Sequence, residues 1–149
     1  MREGLALDFR ASLGRFTLEI ALEVAPGETV VLVGPSGSGK STCLHCIAGL
    51  ARPTVGSIRA GERLLFDAGR RVDLPPWKRR VGVVFQDYAL FPHLTVEQNI
   101  RYGLRGLPDA EQRARAWISA LELGDLARRK PTQLSGGQRQ RVALARAAA

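Results

Sequence analysis

The chain is poor in the features that mark several protein classes. It has only two cysteines, both in Cys43-Leu44-His45-Cys46, so at most one bridge can form and a disulfide framework is excluded. A Cys-x-x-Cys pair also fits a redox couple or half a zinc site. Zinc would need further ligands, and the only histidines are His45 and His93. Two small apolar residues on one helix face account for the pair more simply. No apolar run approaches the ~18–20 residues that span a bilayer, and the N-terminus lacks an apolar signal core. These features predict a cytosol-type chain whose membrane role, if any, comes through a partner. No block of five like charges occurs, which excludes a basic tail. Internal repeats are absent, and no Asp or Glu follows Asp125.

What the chain has in excess is arginine. Lys plus Arg total 22 against 14 for Asp plus Glu, a formal charge of +8 over 149 residues. Nineteen of the basic residues are Arg and three are Lys. That balance points to an acidic partner or a phosphorylated ligand, or to a solvated Arg-rich surface. Hydrophobic residues at 45% and charged residues at 24% are globular values.

The patterning predicts mixed α/β structure. Phe16, Leu18, Ile20 and Leu22 alternate with Thr17, Glu19, Ala21 and Glu23, the period of a half-buried strand. Pro26-Gly27 is a turn signal. Val30–Val33 and Val81–Phe85 are continuous apolar runs, expected as strands covered on both faces. Leu44, Ile47, Ala48 and Ala51 have helical spacing, with Gly49 as a stop. Ser57 to Asp73 reads as short strands and turns, broken by Pro75-Pro76. Thr95 with Gln98, Asp109 with Gln112, and Ser135 with Gln138 read as helix starts. In the second of these helices Ala110, Ala114, Trp117, Ile118 and Leu121 share a face, and Gly124 sits just past its end.

Gly34-Pro35-Ser36-Gly37-Ser38-Gly39-Lys40-Ser41-Thr42 fits G-x-x-x-x-G-K-[ST] at every defined position. A buried-type strand is expected before it and a helix after it. The glycines let successive backbone N–H groups turn toward phosphate oxygens, and the helix start adds partial positive charge. Lys40 can reach the β- and γ-phosphates, and Ser41 can place its hydroxyl on Mg²⁺. A nucleoside triphosphate with Mg²⁺ is therefore expected at the loop. Leu134-Ser135-Gly136-Gly137-Gln138 is a second anion-type helix start. Ser135 and Gln138 alone would make an ordinary cap, but such a cap requires neither Gly136 nor Gly137.

With these motifs in order, the sequence resembles the ABC-type ATPases, the nucleotide-binding subunits of ABC transporters. The resemblance rests on Gly34–Thr42, on Val83–Val96 (VVFQDYALFPHLTV) and on Leu134–Ala147 (LSGGQRQRVALARA). It implies that the nucleotide is ATP. It also implies a P-loop NTPase core of the RecA-like type with an N-terminal antiparallel β part and an inserted helical subdomain, incomplete at the C-terminus. The corresponding boundaries are 1–33 and 53–74 for the β part, 30–52 and 75–87 for the core, 88–134 for the helical subdomain and 135–149 for the signature helix. Gln86 would be the Q-loop glutamine, near Mg²⁺ and the attacking water. Tyr88 to Pro92 would line the groove that receives a permease helix. Ser135, Gly136, Gly137 and Gln138 would face the ATP held by a second subunit's phosphate loop, in a head-to-tail homodimer.

The adenine-stacking aromatic of that family is not obvious. Phe16 is the nearest candidate, and its alternation favours a core strand residue instead. The finer resemblance is to bacterial importer subunits. Leu13-Gly14-Arg15-Phe16, Leu74–Gly82 and Asn99–Gly103 look most like molybdate importers, with sulfate, ferric-iron, polyamine and thiamine importers as competitors. The expected setting is the cytoplasmic face of a bacterial inner membrane. Expected partners are transmembrane permease subunits and, indirectly, a periplasmic binding protein. A non-transport ABC-type ATPase acting on nucleic acid or ribosomes is the alternative; the resemblance disfavours a nucleic-acid partner. A non-catalytic phosphate-binding module is a third. The family's Asp-Glu strand end and later His have no counterpart here. The chain therefore reads as a fragment or truncated product of a longer ATPase, inactive alone, with Val30–Val33 and Val81–Phe85 lacking sheet neighbours. Apart from Lys40, and from Arg139 and Arg141 beside the signature motif, the basic excess reads as ordinary surface.

Overall fold

The computed structural model describes residues 4–14 and 16–149. Arg15, within the molybdate-like stretch, lies outside the described residues. The chain forms two compact units, Met1–Val81 and Gly82–Ala149, each with its own core.

The first unit is built on a five-stranded antiparallel sheet of order β2-β1-β3-β4-β5. Its strands are β1 (Leu5–Leu13), β2 (Phe16–Val24), β3 (Val55–Ala60), β4 (Arg63–Asp67) and β5 (Val72–Asp73). The period of two in β2 is matched in β1. Leu7 faces Leu22, Phe9 faces Ile20 and Ala11 faces Leu18 across the register, so these side chains share one face. Ile58 joins the row opposite Leu7. A register shift beside Ile58 allows consecutive Leu65 and Phe66 both to be buried. Each such residue stabilises the fold by about 1.5–3 kcal/mol when removed from water.

Helix α1 (Lys40–Ala48) lies on this sheet. Cys43 and Cys46, three residues apart, enter the core among Leu7, Phe9, Ile58 and Phe66. The two thiols are therefore small apolar packing residues, as the simpler reading has it. The expected helix face is shifted, however. Leu44 is exposed, because the cysteines and Ala48 occupy the inward side. Gly49, with φ 78°, ends α1 as expected. Pro75-Pro76 not only stops the preceding strand but opens the one-turn helix α2 (Pro76–Arg79), with Pro76 in the first turn, where its missing N–H is harmless.

The two continuous apolar runs differ from expectation. Neither Val30–Val33 nor Val81–Phe85 forms a strand. Val31 is 75% and Val33 89% exposed, and Val84 is exposed as well. A strand requires a neighbour to take its N–H and C=O groups, and none lies beside either run among the described residues.

The second unit is helical, with α3 (Val96–Arg101), α4 (Ala110–Ala120) and α5 (Gly136–Ala148). Its core holds Val96, Ile100, Leu104, Ala114, Leu123, Leu126, Leu134, Val142 and Ala145. All five residues assigned to one face of α4 pack here. Two details differ from the sequence signals. Asp109 makes no side-chain cap. Glu122, at φ 53°, takes the left-handed position after α4, ahead of Gly124.

Candidate phosphate and partner sites

The loop Gly34–Gly39 leads into α1 and closes around the α1 lysine. Lys40 Nζ donates to Gly34 O at 2.8 Å, Pro35 O at 2.7 Å and Ser38 Oγ at 3.3 Å. The ammonium therefore sits inside the curve of the loop, where phosphate oxygens would meet it. Ser38 N donates to Pro35 O and Cys43 N to Gly39 O, which set the turn and the first helical bond. Gly39 is the N-cap at φ 92° and offers no side-chain cap. The first N–H groups of α1 thus have no side-chain acceptor, the arrangement that favours an anion. Ser41 is exposed at the second position of α1, while Thr42 is half-buried.

Phe16 belongs to this site and not to the core. It is 38% exposed, and a Cβ on Gly39 would come within 2.9 Å of its Cζ. Its ring therefore lies against the entry to α1. The alternation of β2 puts Phe16 on the same face as Leu18, but at the first position of the strand its ring is left exposed against Gly39, and Leu18 is the first of the series to be half-buried.

In the helical unit, Ser135 caps α5 reciprocally. Its Oγ accepts from Gln138 N at 3.3 Å, and Gln138 Oε1 accepts from Ser135 N at 2.8 Å. Gly136 and Gly137 are exposed, and a Cβ at either would meet nothing within 4 Å. Packing within the chain therefore does not require glycine at these positions. Gln86 is exposed and opens a turn that runs to Ala89. It lies in the Gly82–Ala149 unit, whereas the phosphate loop lies in the other.

Two residues hold this region, Arg146 the turn itself and Asn99 the Phe91–Thr95 stretch that follows it. Asn99 is fully buried. Its Oδ1 accepts from Phe91 N, and its Nδ2 donates to Phe91 O, Leu94 O and Thr95 O. Arg146, in the last turn of α5, donates to Ala89 O at 2.6 Å and Tyr88 O at 3.0 Å. Tyr88 and Ala89 have φ values of 64° and 43°, left-handed conformations that cost of order 1 kcal/mol each and persist where surroundings over-determine them. Burial pulls the Arg146 guanidinium below its ordinary pKa. Arg139 and Arg141 also turn inward, donating to Leu134 O and Leu121 O.

Among the described residues, no group of three His, Cys, Asp or Glu side chains could hold a metal ion by itself. The donor set at the loop, a single exposed hydroxyl from Ser41 beside Lys40, suits an ion that arrives with phosphate oxygens and keeps most of its waters, as Mg²⁺ does. Burial raises both thiols of α1. Cys46 is pushed up to about 11, chiefly by desolvation, then by Cys43, with Arg79 acting in the opposite direction.

No described helix is long and apolar enough to cross a membrane. The chain is 46% identical over 145 residues to the molybdenum import ATP-binding protein ModC of Paramagnetospirillum magneticum, covering 96% of this chain and 40% of that protein. It is 52% identical to the sn-glycerol-3-phosphate import ATP-binding protein UgpC of Ralstonia nicotianae, over 86% of this chain and 34% of that one. It therefore spans about 40% or less of the length of these curated relatives. Among solved structures, a dimeric ATP-binding cassette in a post-hydrolysis state, bound to ADP and Pi, matches with a TM-score of 0.75 and 33% identity, over 97% of this chain and 68% of that one. Residues 18–149 match the ABC transporter family, and the chain belongs to that family.

Proposed function

We propose that the protein is the ATP-binding subunit of an importer, coupling ATP binding and hydrolysis to solute passage through a membrane permease. The nucleotide-binding part of this reading is carried by the Lys40 ammonium held inside the Gly34–Ser38 curve at a helix start without a side-chain cap, and the importer part is supported by the likeness to importer subunits. Gly34 to Thr42 cradle the triphosphate through backbone N–H groups, Lys40 neutralises the β- and γ-phosphates, and Ser41 holds Mg²⁺. Phe16 stacks on the adenine. The role of Gln86 at Mg²⁺ and the attacking water is carried over from the family resemblance alone. Ser135, Gly136, Gly137 and Gln138 meet the γ-phosphate of an ATP bound to a second copy. The open space over Gly136 and Gly137 supports that last role.

The segment Tyr88 to Pro92 takes the permease. Its bracing by Asn99 and Arg146 fits a surface built for docking. Molybdate or a similar oxyanion is the solute we favour, since the match to the molybdenum importer subunit covers more of the chain than the match to the glycerol phosphate one. The nucleic-acid alternative drew on the arginine excess, and several of those arginines are committed to backbone carbonyls. A binding titration of the complete protein with Mg·ATP tests the first step. Solute choice is tested by ATPase rates of the complete protein reconstituted with its permease. Stimulation by molybdate-loaded binding protein is expected; stimulation by glycerol phosphate instead reassigns the solute.

A further inference from the structure

Arg79 is the largest fully buried side chain among the described residues, at 1% exposure. Its guanidinium lies at the C-terminal end of α1. Nη1 donates to Cys46 O at 2.7 Å and Ile47 O at 3.0 Å. Nε donates to Leu74 O at 2.6 Å, and Nη2 to Asp73 Oδ1 at 3.0 Å. Burying a cation is costly unless it is paired and fully hydrogen-bonded, and desolvation pulls this one below its ordinary pKa, with Asp73 opposing. A helix end does not require that cost. Gly49 already closes α1, its N–H and that of Leu50 returning to Cys46 O and His45 O.

The seat of Arg79 is tightly specified. A Cβ on Gly49 would fall 2.6 Å from Nε. The second carboxylate oxygen of Asp73 takes Arg52 Nε at 3.2 Å, from the chain just beyond α1. Arg63 of β4 donates to Lys78 O at 2.5 Å and Arg79 O at 3.4 Å, which fixes the platform that carries Arg79. α1 has nine residues and is roughly 13 Å long at about 1.5 Å per residue. It behaves as a short rod, so an error at one end is transmitted to the other, where Lys40 and Ser41 stand.

We propose that Arg79 is a positioning residue for the phosphate loop. By clamping the far end of α1 to the Asp73–Leu74 segment, it holds Lys40 and Ser41 in place for a triphosphate that it never touches. A permanent positive charge at the C-terminal end also complements the helix dipole that the phosphates meet at the other end. The inference rests on reading Gly34–Thr42 as a triphosphate cradle.

The test measures Mg·ATP affinity and Tm of the complete protein for wild type, Arg79→Met, Arg79→Lys, Gly49→Ala and Ile58→Ala. Ile58 is fully buried in the core of the same unit and makes none of the clamp's hydrogen bonds, so it serves as a control for lost stability. Arg79→Met is expected to weaken Mg·ATP binding by about tenfold or more, and Arg79→Lys by roughly threefold, since an ammonium replaces only part of the guanidinium's bonding. Gly49→Ala, which displaces the guanidinium without removing it, moves in the same direction. Ile58→Ala lowers Tm and leaves affinity unchanged. Should Arg79→Met fail to fold, Arg79→Lys and Gly49→Ala decide. Wild-type affinity in the Arg79 and Gly49 variants, or an equal loss in Ile58→Ala, overturns the proposal. A wild type that does not bind Mg·ATP overturns the cradle reading instead.

Discussion

Two glycine-bearing helix starts stand in this chain, and they are finished in opposite ways. α1 opens at Gly39, whose positive φ turns the chain but supplies no acceptor. α5 opens at Ser135, where serine and glutamine close a reciprocal box. The free N–H groups of α1 are flanked by a lysine, so this end needs an anion to complete it. At α5 the box takes only Ser135 N and Gln138 N, and the glycines between them leave room over the remaining N–H groups. The same residue types thus leave one end with no side-chain cap and the other capped in part. A helix start is therefore a binding site only to the degree that its own side chains leave it unfinished.

The sharpest way to break this contrast is Lys40→Ala. Mg·ATP affinity of the complete protein should fall by about 100-fold or more, as removal of a charge-assisted phosphate contact in a cradle predicts; affinity equal to wild type would remove the loop from the argument. Gly136→Asp comes next. Its side chain has room in the fold, so Tm should hold, while ATP turnover falls by about 100-fold because a carboxylate faces the γ-phosphate. Intact turnover would reduce α5 to an ordinary capped helix.

Cysteine chemistry probes how α1 is seated. The raised thiols should alkylate at pH 8 about 100-fold more slowly in the native than in the unfolded chain, since only thiolate reacts. The folded-state pKa is above the unfolded one, so this contribution to stability is complete below about pH 9. It is lost as pH rises toward the Cys46 value of about 11, which pH-dependent denaturant unfolding would register. Phe16→Ala should weaken ATP binding by roughly three- to tenfold, the loss of one stacked ring, with little change in Tm because the ring is partly exposed. Ser135→Ala should have the smallest effect on binding and cost about 1 kcal/mol of stability. α1 has no cap to lose, so no matching substitution exists there.

Local signals were read well from sequence. Both Thr95–Gln98 and Ser135–Gln138 form their reciprocal boxes, because a cap depends on residues within one turn. β2 alternates as its period requires. The errors lie where a distant partner decides. Val30–Val33 has the composition of a buried strand, but strand formation depends on neighbours that composition does not supply. Leu44 has helical spacing, yet the face of α1 is chosen by what the sheet can accommodate, and that is the two cysteines. The phosphate-loop lysine was legible from its motif, whereas Arg79 and Asn99 were not, because their partners are main-chain carbonyls and a sequence does not reveal where a carbonyl is exposed. The family resemblance extended the reading to Gln86 and the α5 start, and the fold places both in the helical unit.

The arginine clamps change the meaning of the charge excess. Arg63, Arg79, Arg113, Arg139, Arg141 and Arg146 all donate to backbone carbonyls. Counted as a number, +8 would be the same if every arginine were lysine. A planar guanidinium reaches two or three carbonyls at once, and a compact ammonium does not present that geometry. The lysine version would keep the electric field of this protein and lose its fastenings.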